Sequence, residues 1–411
     1  MLRSLLAGIS GLRNHQLRLD VIGDNIANVN TVGYKASRVT LRDGFAQLLA
    51  QASQGGGGGS ASQIGSGVTL GSIDSIFSQG SLEATGLPLD LAIQGNGLFV
   101  VSDGQQNYFT RAGNFQLDST GRLVLAGTQL GVQGVTADEA GELTGSVGDL
   151  ILNPGELSAP QATTALLLSG NLDASAGAGE TRTVNASAYD PAGRLCSIAI
   201  TFVSGGGGTW SWSASTSEGE IVPTSSGTLV FGSDGTLTDF TYPESATALT
   251  FTSPGGQQFS VELLPRDQDG NNLLTGYAGL STAAASAMDG SAAGELSDLQ
   301  VDATGTIYGI FSNGTDRVLG RLALATFANP SGLVRQGGSL CTASASSGEA
   351  VLGFAGEGNG TSLVAGALES SNVDLAQEFT DLIVTQRGFQ ANAKVITASN
   401  EVLAELINLA R

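Results

Sequence analysis

The sequence predicts a multidomain α+β protein, in which long terminal α-helices form a coiled-coil-like domain on either side of a mainly β centre. Two observations support this prediction. Apolar residues recur with a heptad spacing at both ends of the chain, where they form one narrow stripe on each helix. The 411-residue chain is also rich in Gly (60 residues), Ser and Thr, yet 41% of it is hydrophobic, which is typical of many short strands and turns around a real core.

The first predicted element is a helix from Met1 to about Asn28. Gln16 lies on its apolar stripe, where a buried amide weakens a coiled coil but fixes its register and partner number. His15, the only histidine, is expected on the helix surface. The Asn, Thr and Gly residues that follow Ala27 predict the end of the helix. The apolar residues of the stripe are Leu5, Ile9, Leu12, Leu19 and Ile26.

The helical pattern then lapses into a connector over residues 35–70, which is rich in Ser, Gln and Gly. It contains the run Gly55–Gly59, which in isolation is a flexible linker. Strand patterns begin afterwards. Alternating apolar residues from Leu87 to Ile93, the turn Gly95-Asn96-Gly97 and the apolar run Leu98–Val101 predict a β-hairpin. The segment lacks the third glycine that a nucleotide-binding motif has at a fixed distance. The glycines are therefore interpreted as a turn and not as a nucleotide-binding site.

The centre of the chain shows further strands separated by turns. The strand patterns include Thr183–Tyr189, Cys196–Val203 and Thr228–Phe231. Asp and Gly occupy the positions that β-turns prefer, as in Asp190-Pro191-Ala192-Gly193. The centre is therefore predicted to be all β. The other predicted turns are at Asp118–Gly121, Asp234–Gly235 and Asp302–Gly305.

The last predicted element is a helix within Ser371–Arg411, roughly 55 Å long at ~1.5 Å per residue. Ser371 or Asn372, followed by Asp374 and Glu378, predicts its N-terminal cap. Such a long apolar stripe needs a long partner, either the first helix and other copies of the chain, or a globular domain beneath each helix. The stripe consists of Leu375, Phe379, Leu382, Gln386, Phe389, Ala393, Ile396, Asn400, Leu403 and Ile407.

Charge and composition argue against several functions. The net charge is −20, and because residues 1–50 carry +3 and residues 371–411 carry −2, the centre carries −21. Nucleic acid and anionic membrane surfaces are therefore poor partners, and no apolar run is long enough to insert into a membrane. One histidine and two cysteines, Cys196 and Cys341, predict no metal, cofactor or catalytic site, and the cysteines are expected as separate buried thiols. A cleavable secretory signal is also missing.

Both ends of the chain resemble signatures of the axial proteins of the bacterial flagellum, a family that includes rod and hook proteins. Two further segments, around Leu98 and around Phe327, resemble the first β-domain of this family. The N-terminal signature comprises Ala27, Asn28, Thr31, Gly33, Tyr34 and Lys35. The C-terminal signature comprises Asn372, Val373, Asp374, Gln386, Arg387 and Asn392.

The resemblance implies a domain organisation. Residues 1–34 and 367–411 would form a terminal helical domain that lines an inner tube, with residues 35–70 as the connector. Residues 71–153 and 289–366 would form a first β-domain. Residues 154–288 interrupt the resemblance and would form an outer β-domain inserted into the first.

The implied function is structural, without catalysis or a cofactor. The length and the insert are typical of the hook subunit, which polymerises into a curved hollow tube linking rod to filament. The implied partners are further copies, the rod, hook-cap and hook–filament junction proteins, and an export apparatus that needs no cleaved signal. A distal rod protein is the alternative within the family. A secreted β-rich adhesin, which normally has a signal, and a glycosidase, which needs paired carboxylates, are alternatives outside it.

Overall fold

The computed structural model describes residues 2–44, 46–50, 62–65, 67–138, 140–153, 155–216, 220–221, 226–242, 246–252, 256–267, 270–287, 289–357 and 360–409. Two long helices, α1 (Leu2–Ala27) and α2 (Leu375–Leu409), stand at the ends of the chain and pack against each other. The described residues between them are mainly β. The prediction of terminal helices and a β-rich centre is thus confirmed. The glycine run Gly55–Gly59 lies outside the described residues.

The strands follow one another in chain order, with a short 3-10 helix at Pro330–Gly332. The first twelve are β1 (Ser37–Asp43), β2 (Ala46–Ala50), β3 (Ser62–Gly65), β4 (Val68–Ser75), β5 (Leu82–Ala84), β6 (Leu91–Gln94), β7 (Leu98–Ser102), β8 (Asn107–Thr110), β9 (Phe115–Leu117), β10 (Leu123–Leu125), β11 (Gly131–Thr136) and β12 (Gly148–Asp149). The next twelve are β13 (Leu157–Ser158), β14 (Ala165–Asn171), β15 (Thr181–Tyr189), β16 (Leu195–Gly206), β17 (Thr209–Thr216), β18 (Glu220–Ile221), β19 (Ser226–Phe231), β20 (Leu237–Thr241), β21 (Leu249–Thr252), β22 (Gln258–Leu264), β23 (Leu274–Thr275) and β24 (Ala284–Ala287). The last nine are β25 (Gly294–Val301), β26 (Thr306–Phe311), β27 (Asp316–Leu322), β28 (Leu324–Thr326), β29 (Val334–Gly337), β30 (Leu340–Thr342), β31 (Val351–Gly353), β32 (Ser362–Ala365) and β33 (Ala367–Glu369).

The chain divides into two compact units. Unit 1 comprises Met1–Pro154, Leu299–Gly309 and Arg317–Arg411, and unit 2 comprises Gly155–Asp298 and Ile310–Asp316. The division falls within β25, β26 and β27. Both terminal helices therefore belong to unit 1.

Unit 1 is built around β7, whose five residues are all buried. β7 pairs with β8, β11 and β28, and β30 and β29 extend the sheet beyond β8. The core beneath it includes Leu98, Val100 and Phe109, and the Phe109 ring meets the Phe327 ring edge-on with centroids 4.8 Å apart. Aromatic pairs in this geometry stabilise a core beyond the area that they bury.

Unit 2 holds two sheets over one core. One sheet has the order β15-β16-β17-β19-β20, and the other has β18-β21-β22-β14-β23, with β24 also pairing with β14. Buried residues alternate with exposed ones along β15, β16 and β17, so each strand turns one face inward. Strands lie where Thr183–Tyr189, Cys196–Val203 and Thr228–Phe231 predicted them, and both cysteines are buried thiols that form no disulfide.

The predicted hairpin across Gly95-Asn96-Gly97 is wrong. Only Leu91–Gln94 of the first predicted strand is extended, and this strand, β6, pairs with β32 rather than with β7. Gly95 has φ of +108°, and an added Cβ would lie 2.7 Å from the Gly360 carbonyl oxygen. The turn therefore carries the chain from one sheet into another, a distinction that the local strand pattern does not contain.

The connector contains an antiparallel arm. β1 pairs with β4, with Val39 opposite Ile73 and an irregularity after Thr40. The arm packs on α1, where the Asn14 side-chain amide donates to the Val68 carbonyl at 2.8 Å and the Val68 N–H donates to the Ser10 hydroxyl at 3.2 Å. One side of α1 is therefore covered by its own chain.

Candidate assembly site

The two terminal helices run antiparallel and meet through polar and small residues. Near one end of the pair, Asn25 Nδ2 donates to Glu378 Oε1 at 2.9 Å, and Arg18 Nη2 lies 3.0 Å from Asp381 Oδ1. Towards the other end, Gly8 lies against Ile396. Contact positions in each helix are spaced by three or four residues, as expected for two packed helices.

Glycines allow the helices to approach closely. A Cβ added to Gly11 would lie 2.7 Å from Asn392 Oδ1, and one added to Gly388 would lie 2.6 Å from His15 Cε1. Real Cβ atoms do not approach other atoms so closely, so a side chain at either position would force Asn392 or His15, or the helices themselves, to move. The glycine inside α2, which lowers helix propensity by about 1 kcal/mol relative to Ala, is therefore explained by packing.

His15 was expected on the helix surface, and that prediction is wrong. Its ring fills the space above Gly388 and is only partly exposed, and its Nδ1 is buried without a hydrogen-bond partner among the described residues. Burial, followed by the nearby Arg18 guanidinium, lowers the pKa of His15. The imidazole is therefore neutral at pH 7, because its pKa lies below the ordinary value of 6.5.

The apolar stripes predicted from the sequence lie mostly beside this contact, and Ile396 is the stripe residue that also reaches Gly8. Several stripe positions follow a contact position by one residue, as Ile9 follows Gly8, Leu12 follows Gly11 and Phe389 follows Gly388. One residue is a turn of about 100°, and in an antiparallel pair this turn brings both stripes to the same side. We call this side the heptad face; it consists of Leu5, Ile9, Leu12, Leu19 and Ile26 on α1 and Phe379, Leu382, Phe389, Ile396, Leu403 and Ile407 on α2.

The heptad face is apolar and partly exposed. Ile9 is 47% exposed, Phe379 52% and Ile407 66%, and the other members are half-buried. Contiguous exposed apolar surface on a soluble chain usually marks a site of protein–protein contact. The heptad face is thus the candidate assembly surface of the described residues.

The N-terminal signature ends α1 and leads into a largely buried cluster that we call the base, which comprises Asn25, Gly33, Tyr34, Lys35, Arg111, Glu369 and Asn372. The Asn28 N–H donates to the Asp24 carbonyl, and the Thr31 hydroxyl donates to Asn28 Oδ1 at 3.1 Å. Gly33 has φ of +66°, and a Cβ there would lie 2.4 Å from the Ala112 nitrogen. Only glycine fits this position, whose N–H donates to the Glu369 carbonyl at 2.8 Å.

A buried charge cluster joins three distant segments in this base. Glu369 is fully buried and accepts from Lys35 Nζ at 2.6 Å and from Arg111 Nη1 at 3.1 Å. Lys35 Nζ also donates to the Ser78 carbonyl, and Arg111 donates to the Ile93 and Gly95 carbonyls. Burial lowers the pKa of Lys35 and of Arg111, while the Glu369 carboxylate opposes that shift. One carboxylate therefore holds two buried cations in place.

Tyr34 and Asn25 connect α1 to the base. The buried Tyr34 hydroxyl donates to Asp24 Oδ2 at 2.9 Å, and the Arg335 guanidinium lies over its ring at 4.5 Å. Burial raises the pKa of Tyr34. The Asn25 amide donates to the Ser37 carbonyl and accepts from the Ser37 N–H, each at 2.9 Å. The start of the arm is thus tied to the end of α1.

The C-terminal signature closes the same base. Asn372 Oδ1 accepts from the Ala36 N–H at 2.7 Å, and its amide donates to the Ile76 carbonyl at 2.8 Å. Asp374, not Ser371 or Asn372, caps α2, because its Oδ1 accepts from the N–H groups of Ala376 and Gln377. The predicted cap is therefore wrong by two or three residues, since Asn372 is engaged by the base.

The remaining residues of the C-terminal signature lie on or just before α2, and Ala27 is the remaining residue of the N-terminal signature. Val373 precedes the cap, and Asn392 donates to the Gly388 carbonyl at 2.9 Å. Gln386 and Arg387 are exposed. Ala27 is the last residue of α1. The signatures thus serve mainly the base and the approach of the two helices.

Three residues of the base had no role in the sequence prediction, namely Asn25, Arg111 and Glu369. Arg111 and Glu369 are 258 residues apart in the chain, and no local pattern relates them. The only sequence feature that pointed to Arg111 and Glu369 was that both are charged residues within segments that resemble the family.

The described residues contain no cluster of three or more His, Cys, Asp or Glu side chains placed to hold a metal ion. Neither described helix combines the length and apolarity that a membrane span needs.

Three families match separate parts of the chain. They are the flagella basal body rod protein family over residues 5–35, the flagellar hook protein FlgE/F/G D1 domain over residues 92–166, and the flagellar basal body rod FlgEFG protein C-terminal family over residues 364–409. The first and last matches cover the two signatures, all of α2 and α1 from Leu5 onward.

Similar proteins extend these matches to the whole chain. The chain is 36% identical to flagellar hook protein FlgE of Treponema pallidum and to that of Borreliella burgdorferi, in each case over 100% of both chains. It is 32% identical to flagellar basal-body rod protein FlgG of Bacillus subtilis, again over 100% of both. The crystal structure of Helicobacter pylori flagellar hook protein FlgE2 shares the fold, with a TM-score of 0.51 at 14% identity over 70% of this chain and 100% of that one.

Proposed function

This chain belongs to the flagellar hook protein family and is a structural subunit of the hook, and from this premise we propose that it polymerises head to tail into a curved hollow tube that links rod to filament. A heterologous interface that does not close on itself generates such a helical assembly. The observation that best supports the proposal is the heptad face, a partly exposed apolar surface that extends over both terminal helices. Full burial of one large apolar side chain stabilises an interface by about 1.5–3 kcal/mol.

We propose that the helical residues 1–34 and 367–411 line the inner tube. The β-domain of residues 71–153 and 289–366 would surround them, and residues 154–288 would form an outer domain inserted into it. The compact unit that begins at Gly155 supports the first boundary of that insert. The centre of the chain carries −21, so neighbouring outer domains would repel one another and slide more easily than the apolar helices.

The proposed function also includes partner proteins at the ends of the tube and a route of export. The two ends of the tube would contact the rod, the hook-cap and the hook–filament junction proteins. The chain would leave the cell through the flagellar export apparatus without cleavage of a signal.

A distal rod protein is the second candidate, because the relative from Bacillus subtilis carries the name of a rod protein and matches over its full length. Expression of this chain in a flagellated strain that lacks its own hook protein distinguishes the two. Hooks of normal curvature support the first candidate. Basal bodies that gain rod length but no hook support the second.

Assembly itself can be tested with the purified protein. Electron micrographs after its concentration is raised should show tubes, and Leu382→Asp on the heptad face should abolish them, because the new carboxylate would have to lose its hydration at the interface. Gln390→Asp is the matched control, since Gln390 is exposed on the side of α2 away from α1. Wild-type protein that never forms tubes would contradict the proposal.

A further inference from the structure

A cleft in unit 1 is lined by residues that lie outside the two terminal helices. It has a volume of about 540 Å³, and small-molecule sites usually have volumes of about 300–1,000 Å³. β7 and β28, which pair with each other, contribute Leu98 and Ala325 to the cleft, and the 3-10 helix contributes Pro330. The described residues that line the cleft all belong to unit 1, so this unit alone forms the site.

Most of the lining is apolar. The half-buried rings of Phe77 and Phe327 pack against the core that contains Leu98, and Pro330 adds a third half-buried ring. A ligand that covered these rings would remove apolar surface from water, which favours a ligand with an apolar body. The uncharged polar residues of the lining are Asn96, Thr326 and Ser331.

Arg111 is the charged residue among the described residues of the lining, and one of its N–H groups lacks an acceptor. The side chain is only 4% exposed. Nη1 donates to the Ile93 carbonyl and to Glu369, and Nη2 donates to the Gly95 carbonyl. Nε is buried without an acceptor among the described residues. Because a buried donor without a partner is unfavourable, an acceptor that enters the cleft would stabilise Arg111.

The charge of the base favours an anion at this position. Lys35 and Arg111 contribute +2 and Glu369 contributes −1, so these three buried side chains together carry +1. An anion that brings its own acceptor oxygens would compensate the excess charge. A single negative charge is sufficient, since only one positive charge is in excess.

We propose that the cleft binds a monocarboxylate with an aromatic or aliphatic body. The carboxylate accepts from Arg111 Nε, and the body lies against Phe77, Phe327 and Pro330. Inorganic phosphate fits less well, because it presents no apolar surface to these rings. This inference goes beyond the proposed structural function, since it assigns a small-molecule site to the subunit.

Isothermal titration calorimetry of the full-length monomer with phenylacetate tests the proposal. Phenylacetate should bind with a Kd below about 1 mM, at one molecule per chain. Phenylacetamide has nearly the same shape but no charge, and it should bind at least about 10-fold more weakly because the charge-assisted hydrogen bond is lost. Acetate lacks the ring and should also bind at least about 10-fold more weakly. The measurement uses the monomer, so it is independent of tube assembly.

Two variants locate the ligand. Arg111→Lys keeps the charge but removes Nε, and it should weaken phenylacetate binding by at least about 10-fold. Ser331→Trp leaves the base intact and should abolish binding, because Ser331 is exposed at the cleft and an indole there would block it. Ser119→Trp is the matched control and should bind like the wild type, since Ser119 is exposed in a turn that does not line the cleft. Circular dichroism checks the fold of each variant.

Three outcomes would overturn the proposal. Equal affinity for phenylacetate and phenylacetamide would show that the cleft does not recognise a charge. Unchanged binding by Ser331→Trp would show that phenylacetate binds elsewhere, and this result does not depend on the stability of Arg111→Lys. Wild-type protein that binds no phenylacetate at millimolar concentration would show that the cleft is not a carboxylate site.

Discussion

The base and the helix pair of unit 1 differ in the residues that form their contacts. In the base, Lys35, Arg111 and Glu369 are buried, charged and bonded to one another within one chain. In the helix pair, small and polar residues make most of the contact, and the large apolar side chains of the heptad face stay exposed or half-buried. The base is therefore completed when one chain folds, whereas the helices keep a large apolar surface available for contact between chains.

The largest effect is expected in the base. Glu369→Gln leaves two buried cations without a counter-charge, and breaking a buried ion pair in this way lowers the free energy of unfolding by about 3–5 kcal/mol. Urea denaturation of the monomer measures the change. The matched control is Glu357→Gln, because Glu357 is mostly exposed beside Arg321 and should contribute less than about 1 kcal/mol. Equal stability of the two variants would remove the contrast between the base and the rest of the unit.

A smaller effect is expected where the helices meet. Gly388→Ala should loosen the pair, because the new Cβ would lie 2.6 Å from His15, and overpacking of this kind typically destabilises by about 1–3 kcal/mol. Ala also has a higher helix propensity than Gly, which would stabilise α2. A net loss of stability would therefore show that overpacking against His15 outweighs this gain. Limited proteolysis of α2 in the monomer measures it.

Gly23 provides the control for this prediction, because no atom lies within 4 Å of the Cβ that it would gain. Gly23→Ala should therefore stabilise α1 by up to about 1 kcal/mol. The double variant His15→Ala with Gly388→Ala should regain the lost stability. If Gly388→Ala stabilised the protein as Gly23→Ala does, the close approach of the helices would not exist in solution.

The next effect concerns the hydrogen bond that connects the base to α1. Tyr34→Phe removes the hydroxyl that donates to Asp24 but keeps the ring beneath Arg335. The free energy of unfolding should fall by about 1 kcal/mol, the usual contribution of one hydrogen bond. Thermal unfolding by circular dichroism measures it. Tyr108→Phe serves as the control, since the Tyr108 hydroxyl reaches Asp103 only at 3.4 Å in an exposed turn.

The smallest effect is a pH dependence of the helix pair. Because the pKa of His15 is lowered in the folded chain, the unfolded chain binds the proton more readily, and stability falls as the pH drops below about 6.5 through the lowered value. Hydrogen exchange of α2 amides at pH 7 and pH 5 measures it. The pKa of Glu378, raised by burial, has the opposite sign, so the comparison is made with His15→Asn, which keeps Glu378. An equal pH response of both proteins would exclude His15 as the cause.

The hydrophobic periodicity of the sequence and its turn residues predicted much of this fold. The two helices, the strands of unit 2 and the Asp-Gly turns follow from patterns within a few residues, and the Asp118, Asp190 and Asp302 turns each close with a Gly N–H bonded to the Asp carbonyl. The hairpin around Asn96 failed because its local pattern could not show that β6 pairs with residues 362–365.

The candidate site was harder to predict than the fold. Heptad spacing identifies an apolar face, but it does not say whether that face meets the same chain or another one. The intrachain contact uses Gly8, Gly11 and Gly388, which hydrophobic periodicity overlooks. The buried pairing of Arg111 with Glu369 depends on the complete fold, so residue spacing could not reveal it.

Amide hydrogen exchange of the monomer and of the assembled tube distinguishes contacts within a chain from contacts between chains. Amides of α1 and α2 should exchange much more slowly in the tube than in the monomer, because subunit contacts on the helices oppose their local opening. Amides of residues 33–36 and 367–369 in the base should exchange equally slowly in both. Helices with the same protection in monomer and tube, or a base that gains protection only in the tube, would contradict the division between contacts within a chain and contacts between chains.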